Sequence, residues 1–270
     1  MSLYQTEGIV LSQTPLGEND KIITLLSPEE GLVRAVVKGA RKPKSRLSAV
    51  TQPFTRASFQ LSRGKSLDRV IQVSLKTSHP GILSDYAKVV CASYVSELVA
   101  ELSPEKQQNR EQFWFFSSVL DHLEQREDPW VVVKWTEVGL LLRAGLLPSF
   151  DECALCGGEI VQPAYFSAEA GGAVCGKCGQ AKDAADWAGV QAGNLALGEQ
   201  TVRAIPVSPG TLKTLEILRD SGNQCPNLTA KGQVRQEVND VLQQCVDHAL
   251  GKRLKSSLLV GSILVSPHRE

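Results

Sequence analysis

The chain has 270 residues, 42% of them hydrophobic, and its 29 basic side chains balance 29 acidic ones; at roughly 100 to 200 residues per domain this length predicts about two domains. No window reaches the ~18 to 20 uninterrupted apolar residues of a membrane span, and "MSLYQTEGIV" has neither the basic start nor the apolar run of a signal peptide. Seven cysteines, an odd number without an export signal, argue against a disulfide framework, so a cytosolic protein with free thiols or metal ligands is expected.

The first 80 residues read as short strands joined by turns. "TEGIVLSQ" comes first. "DKIITLLS" and "LVRAVVKGA" follow, separated by the turn signal "PEEG", and "PFTRASFQLS" and "LDRVIQVSL" flank "RGKS" in the same way. Five strands in 80 residues predict a small closed antiparallel barrel, which removes exposed edges, and the five-stranded OB-fold is the common solution of that size.

The neutral total conceals an asymmetry. Residues 34 to 76 hold eleven basic side chains against Asp68 alone, a local charge of +10; residues 1 to 80 carry +6, and the remainder −6. The densest stretch, "VVKGARKPKSRLSAVTQPF", places Lys38, Arg41, Lys42, Lys44 and Arg46 within nine residues. Such a run also occurs on ordinary solvated faces. Here it sits on a loop between barrel strands, carries the turn residues Gly39 and Pro43, and continues onto neighbouring strands, which makes a band suited to a phosphate backbone. The expected nucleic-acid contacts are Arg34, Lys38, Arg41, Lys42, Lys44, Arg46, Arg56, Arg63 and Lys65. Tyr4, Phe54 and Phe59 are the only aromatics of the first 80 residues and are needed to fill the barrel. Many charges and few stacking rings predict backbone-dominated, sequence-indifferent binding. "GKS" at Gly64 to Ser66 is no P-loop, because Phe59 stands where the motif needs glycine and a strand follows it.

After "SHPG" the period changes. Ile82, Leu83, Tyr86, Val89, Val90, Tyr94, Leu98 and Leu102 mark an amphipathic helix. A second is expected over "EKQQNREQFWFFSSVLDHLEQ", where one ring of Phe113 to Phe116 could face a partner. A third opens at "DPWVVVKWTEVGLLLRAGL", with Asp128 as cap, Pro129 in the first turn and Gly145 as stop. "TLKTLEILRD" and the Val234 to Arg253 periodicity give two more. Cys91 and Cys245 fall on apolar helical faces as packed thiols, and Cys225 is expected in an exposed loop.

Between the helices, "CALCGGEIVQPAYFSAEAGGAVCGKC" breaks the pattern. Cys153-x2-Cys156 and, after eighteen residues, Cys175-x2-Cys178 supply the four thiolates of a closed structural zinc site, which leaves no open coordination position for hydrolysis. Tyr165 and Phe166 are expected to pack over it. The zinc-deaminase pattern is absent, since no His-x-Glu occurs in the chain. His79, His122, His248 and His268 have no Ser or Cys partner at a recognisable spacing, so a catalytic triad has no support and no enzyme is expected. Three readings fit these features: a DNA-binding protein, a zinc-stapled RNA- or ribosome-associated factor, and a metalloenzyme acting on nucleic acid.

"KGARKPKSRLSAVTQPF" on a barrel, together with "CALCG" and "FSAEAGGAVCGKC", resembles the RecO family of bacterial recombination mediators over essentially the whole chain. The segments read along the chain give an α+β multidomain protein: an OB-fold over 1–80, a helical domain over 81–150 that resumes over 186–270, and a zinc module over 151–185 that rests on the four cysteines themselves. The resemblance implies binding of single- and double-stranded DNA, strand annealing, cooperation with RecR and the single-strand-binding protein in loading RecA, and a place in the cytoplasm at the nucleoid. A pocket for the acidic C-terminal tail of the single-strand-binding protein would lie on the helical region, with Arg126, Lys134 or Arg143 as its cations.

Overall fold

A computed structural model describes residues 2–179, 193–197 and 200–265; Lys182 and the end of the expected zinc module at 185 lie outside them. The chain divides into two compact units, 1–132 and 133–270.

The first unit is built on five strands: β1 (Leu3–Leu16), β2 (Asp20–Ser27), β3 (Gly31–Val37), β4 (Arg56–Ser62) and β5 (Asp68–Thr77), closed into a barrel in the order β1-β2-β3-β5-β4. Strand β1 serves two neighbours. Its first half pairs with β4 from Leu3↔Ser62 to Ile9↔Arg56, its second half with β2 from Ile9↔Leu26 to Leu16↔Asp20, and an irregularity between Val10 and Ser12 makes the bend. Parallel pairing of Ala35↔Asp68 and Val36↔Arg69 closes the ring. Alternation puts Val10, Ile23, Leu25, Val33, Ala35, Val37, Ala57, Phe59, Leu61 and Val70 inside as one core. This is the five-stranded barrel expected of an OB-fold.

Between β3 and β4 the chain forms a one-turn helix, α1 (Arg46–Val50), where the sequence predicts only loop. Helix α2 (Pro80–Leu83) and helix α3 (Tyr86–Leu102) replace the single expected helix, because the Asp85 side chain accepts the Lys88 amide at 3.1 Å and starts a new cap. Helix α4 (Arg110–Gln125) begins five residues later than expected, at the Asn109 cap. Its Phe113, Phe115 and Phe116 are buried and Trp114 is half exposed. Gly31 is obligatory: a Cβ there would stand 2.4 Å from the Gln107 carbonyl oxygen, where the β2–β3 turn meets the chain before α4.

The unit division falls within α5 (Trp130–Arg143), whose Trp130 amide is capped by Asp128 at 3.0 Å. The second unit contains a sheet that the sequence does not announce: β6 (Ala164–Ser167), β7 (Gly172–Val174), β8 (Gly193–Leu197) and β9 (Gln200–Val207), in the order β7-β6-β9-β8. Strands β8 and β9 occupy a region expected to be helical. A one-turn helix, α6 (Gly176–Gly179), follows β7; α7 (Pro209–Asp220), α8 (Gly232–Leu250) and α9 (Ser257–Val265) complete the unit. Glu237 of α8 accepts the Ser208 amide and hydroxyl, both at 2.8 Å, at the start of α7. Among the described residues no helix is long and apolar enough to cross a membrane.

Candidate nucleic-acid interface and metal centre

The basic segment leaves the barrel at the end of β3 and is held at several points. At its front the Gly39 amide donates to the Asp20 carboxylate at 2.8 Å, the Arg41 amide to the Asn19 carbonyl at 2.9 Å, and the Arg41 guanidinium to the Gly17 carbonyl at 2.8 Å. Lys44 is held at φ 63, a left-handed conformation that an L side chain adopts at a cost of about 1 kcal/mol or more. At its rear, Phe54 exchanges into the barrel by donating its amide to Val10 at 2.8 Å, and its carbonyl lies 2.8 Å from His79 Nδ1. His79 Nε2 is 3.0 Å from the Asp121 carboxylate, so this buried ring ties the segment to α4.

The structure sorts the nine expected contacts into two groups. Arg34, Lys38, Arg41, Lys42, Lys44, Arg46 and Lys65 are exposed, and none forms an ion pair with another described residue. Arg56 and Arg63 are half-buried and already neutralised: Arg56 pairs with Glu7 at 2.5 Å and bonds Ser117, and Arg63 pairs with Glu30 at 2.6 Å. Their guanidinium groups also lie over aromatic rings, Arg56 4.9 Å from the Trp114 centroid and Arg63 4.0 Å from that of Tyr4. Burial and a hydrogen bond donated to Asp68 push the Tyr4 hydroxyl above its ordinary pKa. Phe54 and Phe59 are buried.

One residue beneath the segment was not foreseen. Lys21 is 5% exposed, and its ammonium donates to Gln13 Oε1 at 2.7 Å and to the Thr51 carbonyl at 2.8 Å. Burial lowers its pKa to about 8. The signal was in the alternation: Lys21, Ile23 and Leu25 share the inward face of β2. Because the folded value lies below the unfolded one of about 10.5, the unfolded chain binds more protons between the two, and stability rises with pH across that window. Urea midpoints of the parent and Lys21→Met, compared from about pH 7 to pH 10, should therefore diverge in the parent's favour as pH rises. A constant difference would contradict a buried ammonium.

The four cysteines come together in the second unit. Their sulfurs all lie within 4.8 Å of one another, and Cys156 and Cys175 are 3.9 Å apart; a tetrahedral shell at about 2.3 Å from sulfur to metal requires sulfurs about 3.8 Å apart. Two knuckles place them. In the first, Cys153 receives the Gly157 amide on its carbonyl at 2.8 Å and gives its own amide to the Gly158 carbonyl at 2.8 Å; in the second, Cys175 directly follows β7 and α6 carries Cys178. Gly176 is required, since a Cβ would meet the Pro163 carbonyl oxygen at 2.5 Å. Burial raises the Cys153 thiol, but amide hydrogen bonds from Cys175, Cys156 and Leu155 outweigh it and hold it down to about 6; hydrogen bonding with Cys156 leads the effects that push Cys178 up to about 12. Four thiolates cannot coexist at this distance without a cation. This donor set could hold a metal ion and suits a soft or borderline divalent one.

Tyr165 packs with Cys153 and Cys175 as expected, but Phe166 points to the other face of β6, against Phe150 with centroids 5.9 Å apart. Neighbouring strand residues face opposite ways, so only one ring can cover the cysteines. Cys91 and Cys245 are buried as expected; Cys225 is buried as well, contrary to the exposed loop predicted for it. Lys134 cannot serve a tail pocket, because its ammonium is buried against Glu137, 2.9 Å from Oε2. Arg143 is half-buried and bonds the Gly139 carbonyl at 2.8 Å and Asn223.

Comparison with known families decides the assignment. The family model for the Recombination protein O N-terminal region matches residues 1–79, and that for the Recombination protein O C-terminal region matches residues 83–258. The chain belongs to the RecO family. Among RecO relatives, the DNA repair protein RecO of Symbiobacterium thermophilum is 32% identical over 262 residues, covering 95% of this chain and 96% of that one. The DNA repair protein RecO of Anaeromyxobacter sp. (strain K) is 30% identical over 270 residues, covering 97% and 98%. That of Pelotomaculum thermopropionicum is 38% identical over 178 residues, covering 66% and 69%.

Proposed function

We propose that this RecO-family chain binds single- and double-stranded DNA without sequence specificity through the exposed cations Arg34, Lys38, Arg41, Lys42, Lys44, Arg46 and Lys65, and that it anneals complementary strands. The observation that carries the reading is a surface segment of cations without carboxylate partners among the described residues, held in place by the barrel. Two complementary strands repel through their phosphates. A fixed cationic band displaces counterions from both and lowers that barrier, so no bond is made or broken and no catalytic residue is needed. Arg56 and Arg63 contribute to the field only through what Glu7 and Glu30 leave uncompensated.

Cys153, Cys156, Cys175 and Cys178 hold one structural zinc ion in this reading, and family membership supports RecR, the single-strand-binding protein and, through them, RecA as partners at the nucleoid. The four-segment division at residues 80, 150 and 185 belongs to the same proposal. The test is an annealing assay. Two complementary DNA oligonucleotides should pair faster with the protein than without it, and RNA strands of the same length, sequence and salt should bind less tightly, because the 2′-hydroxyl separates the two. Equal affinity for RNA and no acceleration of DNA pairing would favour an RNA-associated factor instead.

A further inference from the structure

Helix α1 ends the cationic segment, and its position is poorly secured by its own sequence. It has five residues, no side-chain hydrogen bond at its N-cap and no fully buried side chain, and only Leu47 leans on the barrel core. A helix this short has no stability of its own in water. Against this background Lys21 is an expensive residue. An apolar side chain at its inward position would bury at no electrostatic cost, whereas an ammonium taken out of water loses its solvation. No carboxylate of the described residues pairs with it, and its two acceptors are neutral oxygens. One of those acceptors is the carbonyl of Thr51, the C-cap of α1, and the Thr51 hydroxyl in turn donates to the Leu47 carbonyl. A cation at a helix C-terminus is favourable with the peptide dipoles. Lys21 also lies two residues from Asn19, whose carbonyl holds Arg41, so one end of the β1–β2 hairpin grips both the front and the rear of the segment.

We propose that Lys21 is a positioning residue for the nucleic-acid interface: its buried ammonium fixes the C-terminal end of α1, and with it the direction of the Lys38 to Arg46 side chains, without touching the nucleic acid. The proposal rests on residues 38 to 46 being the interface. It requires an ordered segment before binding, so that the ordering cost falls on folding and not on association.

The experiment compares the full-length parent, Lys21→Met and Lys21→Arg by hydrogen exchange of the amides of residues 46–51 and by affinity for an oligothymidylate strand over a range of salt. In Lys21→Met those amides should exchange roughly tenfold faster and affinity should fall roughly tenfold. The slope of log affinity against log salt should stay close to the parent's, because every exposed cation remains. Lys21→Arg, which keeps a buried cation with donors, should recover most of both losses. Should Lys21→Met fail to fold, Gln13→Leu removes one acceptor and leaves the ammonium, and smaller changes in the same direction are expected. Parent-like exchange and affinity in whichever variant folds would overturn the proposal. Failure of the interface itself would show differently, as an unchanged salt slope when the exposed cations are removed.

Discussion

Replacing Lys38, Arg41, Lys42, Lys44 and Arg46 with neutral residues is expected to lower affinity for single-stranded DNA by about three orders of magnitude at about 0.15 M salt. Each phosphate neutralised on a single strand releases about 0.7 of a counterion, so five lost contacts remove a dependence of roughly the 3.5th power of salt concentration. The five side chains are exposed and outside every ion pair among the described residues, so their loss leaves no buried charge stranded. Thermal stability should hold or rise slightly as self-repulsion is relieved. The loss should be the same for unrelated sequences, and annealing should slow with it. Equilibrium binding of two unrelated oligonucleotides to parent and variant checks this, and a loss confined to one of them would mean base readout, which the buried Phe54 and Phe59 do not provide.

The second large effect concerns the cysteines. Converting Cys153 and Cys175 to serine, or stripping metal with a strong chelator, is expected to remove on the order of 10 kcal/mol of metal-binding energy from the second unit. Strands β6 and β7 have four and three residues, and among the described residues the cluster around the cysteines contains only Tyr165, Val174, Ala204 and Ala170 besides the cysteines themselves. So small a core does not hold a sheet by burial alone. Amide protection in β6 and β7 should collapse on chelation while a metallochromic dye records one ion released per chain. Retained protection after complete metal removal would show a sheet that stands by itself.

These expectations draw on features that differ in how far the sequence reveals them. The barrel was legible because its strands are inward on alternate residues and bounded by turns; the core of Val10, Ile23, Leu25, Ala35, Phe59 and Leu61 follows that rule. The second sheet was not, because β6 and β7 are buried on both faces and show no alternation to read. Helix α1 is shorter than two turns, too brief to display a 3.6-residue period. The cysteine cluster was fully legible from spacing, since a C-x2-C knuckle is local. The state of the cations was not: Arg56 meets Glu7 across 49 residues and Arg63 meets Glu30 across 33, pairings that only the closed barrel creates. Lys134 failed for the opposite reason. It sits three residues before Glu137 within an apolar run, and a helix that is buried all round turns such a pair inward.

The most direct test is the salt titration of single-stranded DNA binding by the parent and the five-residue charge variant. A surface docking site made of those side chains predicts that the log–log slope becomes shallower by about 3 to 4 in the variant. Superimposable slopes would place the polyanion elsewhere on the molecule.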